Sequence, residues 1–344
     1  MAYTTINKST DYFNTKLYTG NDSAGHAITG VGFKPDFLWV KNRSSGQEHY
    51  LADIVRGVTK DLQSNSSSAE ATSSNLTSFD SDGFTIGGSD RLNQGSSNLV
   101  AWNWLAGGSQ GSSNTDGSIN TTYTSVNTTA GFSISSYTGT GSAASVGHGL
   151  GAAPSMIMIK NRDSGTGWIT YHKSLTTNGN YLLLNSSNAV ATNTAYYSSA
   201  PSTTVINIGT SGYVNEPSEK FIAYCFAEKT GYSKFGSYVA TGNADSAFVY
   251  TGFAPAFVMI KRTDGGDSWV IIDSKRDTFN QTSKTLHADV SDAEIDRQSL
   301  DFLSNGFKIK AGNGLINGTG NNHIYMAFAE APLVGSNNVP CTAR

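Results

Sequence analysis

The chain contains one short stretch three times, and this repeat limits what it can fold into. Each copy has a proline, an apolar run and a lysine six residues after the proline, at 35–41, 154–160 and 255–261. Proline suits the first position of a strand because it has no amide hydrogen to donate, and a short apolar run after it indicates a buried strand. The repeat therefore predicts three similar β-units.

Two further anchors recur in step with the proline. A tyrosine lies seventeen residues before it in every copy, at Tyr18, Tyr137 and Tyr238. An aromatic residue closes each unit 69, 72 and 73 residues after it, at Trp104, Phe226 and Phe328. Between the anchors, short apolar segments alternate with turn residues, which predicts six or seven strands in each unit.

The composition supports the same fold class. Charged residues make up 14% of the 344 residues, against about 25% in an ordinary soluble protein, and there are 37 glycines. Ser, Thr, Asn and Gly favour turns and disfavour helix interiors. Apolar runs such as 156–159, with no polar alternation, indicate strands covered on both faces. We expect an all-β protein of three tandem β-sandwich repeats, jelly-roll or lectin-like, with almost no helix.

The repeat also sets the expected boundaries. Residues 1–106 hold a leader and repeat 1, 131–230 hold repeat 2 and 231–332 hold repeat 3. The first two prolines are 119 residues apart and the last two 101, because a segment rich in Gly, Ser, Asn and Thr lies at 107–130. This composition predicts a flexible linker. Residues 333–344 are expected to form an extended C-terminal arm.

Several classes of function are disfavoured. A net charge of −3 and the lack of a basic aromatic patch argue against nucleic acid as a partner. The N-terminus has no signal-peptide pattern, and no apolar run is long enough for a membrane span, so neither secretion nor membrane insertion is expected. Of the two cysteines, Cys225 lies in an apolar run and is predicted to be a reduced core thiol.

Catalytic and cofactor motifs are missing from the sequence. There is no phosphate-binding glycine loop, no zinc motif and no nucleophile elbow, and the six histidines are scattered. The Asp/Gly segments 80–83 and 264–267 lack the ligand series of a calcium loop and are interpreted as turns. We therefore expect a non-enzymatic protein with no catalytic residue, no metal and no cofactor.

Two positions after the repeated lysine carry side chains suited to binding. Eight residues after it stand His49, Trp168 and Trp269, and twelve after it stand Asp53, His172 and Asp273. Arg56 and Arg276 follow the two aspartates by three residues.

Tryptophan stacks on sugar rings, so Trp168, Trp269, His49, Asp53 and Asp273 are candidate glycan-binding residues. The alternative is structural: tryptophans in the core, and a partly buried Asp–Arg pair that ties two strands together. We favour the structural alternative for both positions.

Six stretches of the chain resemble a known family. They are AYTTIN at 2–7, TKLYTG at 15–20, FKPDFLWVK at 33–41, DIVRG at 53–57, SFDSDGF at 78–84 and YMAFAEAP at 325–332. In these the chain resembles the repeat-bearing virion structural proteins, often tail-fibre-like, of marine tailed phages such as cyanophages and pelagiphages.

The resemblance implies a function and a location. It implies a non-enzymatic virion protein, made in the host cytoplasm, that is a tail-associated fibre or adhesion component. Such a protein would contact the host surface by multivalent weak binding. Its partners would be other virion proteins, host surface glycan and further copies of itself, with a trimer as the expected state. Decoration (cementing) of the capsid surface is the alternative function, and a glycan depolymerase is the third.

Overall fold

The computed structural model describes residues 3–310 and 314–334, and the regular secondary structure in these ranges is almost entirely strand. Apart from a 3-10 turn at Ser9–Asp11, the helices within them are three single turns, one in each unit: α1 (Asp90–Asn93), α2 (Gly212–Asn215) and α3 (Gly314–Asn317). This confirms the all-β prediction with almost no helix. Residues 335–344, most of the expected C-terminal arm, lie outside the described residues, as does Cys341.

The strands follow the predicted repeat. Unit 1 contains β1 (Phe13–Thr19), β2 (His26–Thr29), β3 (Phe37–Asn42), β4 (Tyr50–Asp53), β5 (Lys60–Asp61), β6 (Ala71–Thr72), β7 (Leu76–Asp80), β8 (Gly83–Ile86) and β9 (Asn98–Trp104). Unit 2 contains β10 (Tyr123–Asn127), β11 (Phe132–Thr138), β12 (Ala144–Gly147), β13 (Met156–Asn161), β14 (Ile169–His172), β15 (Asn180–Leu183), β16 (Ala191–Thr192), β17 (Val205–Ile208) and β18 (Lys220–Phe226). Unit 3 contains β19 (Ser233–Val239), β20 (Phe248–Tyr250), β21 (Phe253–Arg262), β22 (Val270–Asp273), β23 (Thr282–His287), β24 (Ile295–Leu303), β25 (Gly306–Ile309) and β26 (Asn322–Pro332).

Units 1 and 2 each have an inner and an outer antiparallel sheet, and in unit 3 the two layers belong to one eight-stranded sheet that is continuous through β23. The inner layer has the same strand order in every unit: β1-β9-β3-β4, β11-β18-β13-β14 and β19-β26-β21-β22. The outer layer is β2-β8-β7 in unit 1, β12-β17 in unit 2 and β20-β25-β24 in unit 3. The arrangement agrees with a sandwich-type fold for each unit.

The repeated apolar strands β3, β13 and β21 are covered on both faces, and alternation along the strand explains how. In β3, Phe37 and Trp39 point into a central core, while Leu38 and Val40 point into the core of unit 1 alone. β13 and β21 divide their side chains between the central core and their own unit in the same way. The expectation of strands buried on both faces is therefore confirmed. One face of each strand packs within its own unit, and the other face packs against the other two units.

The three closing aromatic residues meet inside the central core. The ring centroids of Trp104 and Phe328 are 5.7 Å apart, those of Phe226 and Phe328 are 5.9 Å apart, and those of Trp104 and Phe226 are 6.3 Å apart. Each ring comes from a different unit, so the triangle marks an approximate threefold axis within a single chain. The units thus pack around one another and share this core.

The segment 107–130 does not fit the prediction of a flexible linker. Its strand β10 pairs with β11 at the edge of the unit 2 sheet, and Ile119 forms a parallel bridge with Val146. Ile119 is buried in the core of unit 2, and the amide of Gly108 donates to the carboxylate of Asp36 in unit 1. The segment is therefore packed against both units.

Two local expectations also need correction. Pro35 and Pro154 each lie two residues before their strand begins, and Pro255 lies inside β21 at an irregularity in its pairing with β26. A bulge tolerates proline because one residue there is left out of the hydrogen-bond ladder. A Gly-aromatic pair also recurs in the sequence, at 83–84, 212–213 and 306–307, and is expected at the penultimate strand of each unit. The first and third pairs begin β8 and β25, but the pair at 212–213 begins α2.

Candidate functional site

The five residues predicted as a glycan site are all buried. His49, Asp53, Trp168, Trp269 and Asp273 have relative exposures of 0–1%. A sugar ring must reach the face of an aromatic side chain to stack on it, so these residues cannot form a surface glycan site. The structural alternative for both positions is the one that the geometry supports.

The position eight residues after the lysine connects neighbouring units in a cycle. The indole of Trp168 in unit 2 donates to the backbone oxygen of Gln63 in unit 1, at 2.8 Å. The indole of Trp269 in unit 3 donates to Leu183 of unit 2, at 2.9 Å. In unit 1 the imidazole Nε2 of His49 donates to the backbone oxygen of His287 in unit 3, at 2.9 Å. Each unit therefore bonds to the preceding one, and the cycle closes.

The position twelve residues after the lysine forms a second cycle in the opposite direction. The carboxylate of Asp53 accepts a hydrogen bond from the Tyr224 hydroxyl of unit 2, at 2.7 Å. His172 of unit 2 donates to the backbone oxygen of Tyr325 in unit 3, at 3.1 Å. Asp273 of unit 3 accepts from the indole of Trp102 in unit 1, at 3.0 Å. These contacts satisfy polar groups that burial would otherwise leave without partners.

The Asp–Arg pair of unit 1 extends into a chain of charges that crosses the boundary with unit 2. Arg56 donates to Asp53 at 2.5 Å and to Glu70 at 3.2 Å. Glu70 also accepts two hydrogen bonds from Arg162 of unit 2, at 2.8 and 2.9 Å. Although burial would raise it, the hydrogen bonds and charges of Arg162 and Arg56 hold the pKa of Glu70 below its ordinary value.

Unit 3 repeats this network against unit 1. Arg276 pairs with Asp273 at 2.5 Å and with Glu294 at 2.9 Å, and Glu294 accepts both hydrogen bonds of the Arg43 guanidinium.

Unit 2 lacks the network at its boundary with unit 3. There Leu175 and Val190 replace the arginine and the glutamate, and Arg262 of unit 3 turns back to Asp264 and Asp267 of its own loop. The Asp–Arg–Glu network is therefore present at two of the three boundaries.

The two interface histidines are held neutral by burial. Burial lowers the pKa of His49 to about 3 and that of His172 to about 4. In both rings Nε2 donates to a carbonyl of another unit. Nδ1 of His49 accepts from the Trp39 indole, and Nδ1 of His172 accepts from the Ser174 amide. The neutral tautomer with a proton on Nε2 satisfies both contacts, so these rings serve packing at the unit boundaries.

The repeated lysines are buried as well, which sequence reasoning missed. The ammonium groups of Lys41, Lys160 and Lys261 each donate to backbone oxygens of the loop that follows, including the next residue at 2.6 Å. Burial lowers the pKa of each to about 8. The one available signal was the Ser/Gly/Asp-rich loop after each lysine, whose carbonyls need donors once the loop folds back.

Two clefts formed by the described residues are large enough for a small ligand. The interface cleft, of about 400 Å³, lies at the boundary of units 1 and 2 and is lined in part by Arg56, Arg162, Lys220 and Tyr123. The unit 2 cleft, of about 380 Å³, lies beside β14 and is lined in part by Tyr171, Asn178 and Asn180. In the interface cleft the two arginines are paired with Asp53 and Glu70, whereas Lys220 is largely exposed and lies 3.9 Å from Asp163.

The Asp-rich turns use their carboxylates internally. Asp82 accepts the backbone amides of Gly30 and Gly32, and Asp264 and Asp267 bond to Arg262. Within 3–310 and 314–334, no three His, Cys, Asp or Glu side chains are grouped so that they could hold a metal ion. Cys225 is a free thiol in the core of unit 2, as predicted, and burial raises its pKa to about 12. No helix among the described residues is both long and apolar enough to cross a membrane.

Comparison with known proteins places the chain in one family. A family model described as a domain of unknown function, DUF7483, matches residues 8–332, which include all three units. No curated protein and no solved structure matches the chain.

Proposed function

We propose that this chain, which belongs to the DUF7483 domain family, is a non-enzymatic structural protein of a phage particle. It would be a tail-associated fibre or adhesion component and would contact the host surface through many weak interactions. The family description states no function, so the proposal combines the sequence resemblance to virion proteins with the physical properties of the fold.

The observation that carries the proposal is how the repeated polar residues are used. Side chains at the repeated positions are used inside the molecule: Trp168 and Asp53 join neighbouring units, and the three lysines hold the loop that follows each of them. The connections between units, in contrast, differ in length: residues 105–122 follow unit 1 and residues 227–232 follow unit 2. A rigid body with variable polar loops suits a particle protein, in which the body carries mechanical load and the loops contact the host.

Low charge supports the same role. The chain carries 23 basic and 26 acidic residues, and several of them pair inside the unit boundaries. At high ionic strength, charge steering over more than a few ångströms is screened. Binding in such a medium would rest on short-range stacking and hydrogen bonds, multiplied by the copies on the particle.

A second candidate function, decoration of the capsid surface, is favoured by the threefold arrangement. A single chain with three similar faces around one axis can sit on a threefold position of a symmetric shell. Such a protein would contact other virion proteins and no host molecule.

Binding of the purified chain to host cells tests the adhesion proposal. Fluorescently labelled full-length protein is incubated with cells of the host and of an unrelated bacterium, at the ionic strength of seawater. Saturable binding to the host alone is expected. If the protein binds neither cell, even when it is clustered on beads to restore multivalency, adhesion is rejected and decoration becomes the better proposal.

A further inference from the structure

The unit 2 cleft differs from the rest of the surface because its lining does not follow the repeat. Tyr171 pairs with Ile157 in the inner sheet, and the residues at the same register in the other units are Ala52 and Ile272. Both of those are buried and apolar, whereas Tyr171 is half-buried and lines the cleft. The fold therefore does not require a tyrosine at this position.

Two tyrosines give the cleft an aromatic wall. The rings of Tyr171 and Tyr197 lie 5.7 Å apart at 62°, an edge-on arrangement. Tyr197 is 2% exposed, and its hydroxyl donates to the backbone oxygen of Ile169, so this ring is fixed in place. The hydroxyl of Tyr171 has no hydrogen-bond partner among the described residues, which leaves both its ring and its hydroxyl for a ligand.

The rim of the cleft supplies neutral polar groups. The amide of Asn178 donates to the backbone oxygen of Ser198, and Oδ1 of Asn180 accepts from the Thr192 hydroxyl. Each side chain then keeps one group without a partner in the described residues: the oxygen of Asn178 and the amide nitrogen of Asn180. An acceptor and a donor at one rim match the hydroxyl groups of a polyol.

The electrostatics of the cleft favour a neutral ligand. Lys173 is the charged residue among those that line it, and its ammonium lies 2.5 Å from the carboxylate of Glu228. Glu228 is also paired with Lys234 at 2.7 Å. A charged ligand would have to compete with these pairs, whereas a neutral one need not.

The loop that forms the cleft is held in shape by the backbone. The amide of Lys173 donates to Ser155, that of Leu175 to His172, and that of Asn180 to Thr177. The amide of Asn193 donates to Gly179, whose φ of +78° places it in the left-handed region that favours glycine. A fixed loop lowers the entropy cost of binding, which matters most for a weak site.

From these features we infer that the unit 2 cleft binds a neutral pyranose ring of a surface glycan. The apolar face of the sugar stacks on Tyr171, and its hydroxyl groups bond to Asn178, Asn180 and the Tyr171 hydroxyl. A volume of about 380 Å³ suits one or two sugar rings. The inference deepens the proposed adhesion function and rests on it, since it names the ligand class and the site.

Saturation-transfer NMR with the full-length protein tests the site. The probes are the methyl glycosides of glucose, galactose, mannose and N-acetylglucosamine, with glucuronic acid as the charged comparison. At least one neutral glycoside is expected to receive saturation. Tyr171→Ala should abolish the transfer, and Asn180→Ala should weaken binding roughly tenfold, the equivalent of one lost polar contact.

A control variant outside the cleft and a second variant inside it allow the result to be interpreted. Tyr213→Ala removes an exposed tyrosine of the same unit that does not line the cleft, and it should bind like the wild type. If Tyr171→Ala misfolds, as judged by thermal melting, Asn180→Ala carries the test. Transfer from no neutral glycoside, or equal binding by wild type and both cleft variants, would overturn the inference.

The result also separates the cleft from the adhesion function. Sugar binding that Tyr171→Ala abolishes, by a protein that binds no host cell, supports the cleft and rejects adhesion. Host-cell binding that Tyr171→Ala and Asn180→Ala leave unchanged supports adhesion and rejects the cleft.

Discussion

The indole nitrogen of Trp168 lies 2.8 Å from the backbone oxygen of Gln63, and this hydrogen bond joins the second unit to the first. The equivalent contacts of Trp269 and His49 complete a cycle through all three units. The position of Trp168, which suggests sugar stacking in the sequence, thus forms a hydrogen bond between units inside the protein. In this chain three copies of one unit pack around an approximate threefold axis, as three identical chains do in a symmetric trimer.

Removing the Trp168 hydrogen bond should lower the free energy of unfolding without changing host-cell binding. Trp168→Phe removes the indole donor and leaves the half-buried carbonyl of Gln63 with only the weaker 3.4 Å contact to the Ser66 amide. The expected cost is about 1 kcal/mol in the free energy of unfolding. Urea denaturation measures the loss. Tyr213→Phe, at an exposed tyrosine of the same unit, should leave the midpoint where it is. A Trp168→Phe protein that is fully stable but has lost host-cell binding would restore the glycan interpretation.

The charge network at the boundary of units 1 and 2 should be sensitive to the loss of one partner. Asp53→Asn leaves the Arg56 guanidinium buried with only part of its compensation, which is expected to cost about 3–5 kcal/mol. Asp245→Asn provides the matched control, because Asp245 also accepts from two cations but lies at the surface. Its unfolding midpoint should not change, and equal effects of the two substitutions would contradict the account.

The aromatic triangle predicts that the three units unfold together. Phe328→Ala removes one corner and should cost about 3–5 kcal/mol. Hydrogen exchange of β9, β18 and β26 should then accelerate together, because each contributes a ring to the triangle. Phe279→Ala, at a side chain that is 79% exposed, should change stability by no more than about 0.5 kcal/mol. Faster exchange confined to unit 3 would mean that the units are independent.

Protonation of His172 should weaken the fold in mild acid. Burial lowers its pKa to about 4 from an ordinary 6.5, so the unfolded chain binds more protons between these values. The stability that this group contributes is present above about pH 6.5 and is lost as the pH falls toward 4. In His172→Asn, the slope of unfolding free energy against pH should fall by up to about 1.4 kcal/mol per pH unit. Trp168→Phe should keep the wild-type slope, and equal slopes in wild type and His172→Asn would contradict the assignment.

The strands were predictable because each apolar run is short and bounded by turn residues. The repeated stretches at 35–41 and 154–160 correspond to the strands Phe37–Asn42 and Met156–Asn161. The packing of the units on one another was not predictable. Phe37 and Leu38 of β3 point to opposite faces and lie in different cores. An apolar run in the sequence shows that both faces of the strand are covered, but it does not show what covers each face.

The candidate site shows a similar limit. The Asp–Arg pairs could be recognised as structural from their spacing, and their partners Glu70 and Glu294 stand in a second repeated motif, Ser-x-Ala-Glu, at 67–70 and 291–294. Neither motif shows that each glutamate also binds an arginine of a neighbouring unit, because that contact depends on how the units pack. Tyr171 lies eleven residues after the repeated lysine, where the other units have Ala52 and Ile272, so the sequence alone marks its departure from the repeat. The cleft beside it depends on how the following loop folds, which the sequence does not show.

Localisation on the particle tests the proposed function most directly. An antibody against the recombinant chain is applied to purified virions that encode it, and gold label is counted on tail and head by electron microscopy. The adhesion proposal predicts label concentrated on the tail. Label spread evenly over the head, or label missing from the particle, would contradict it.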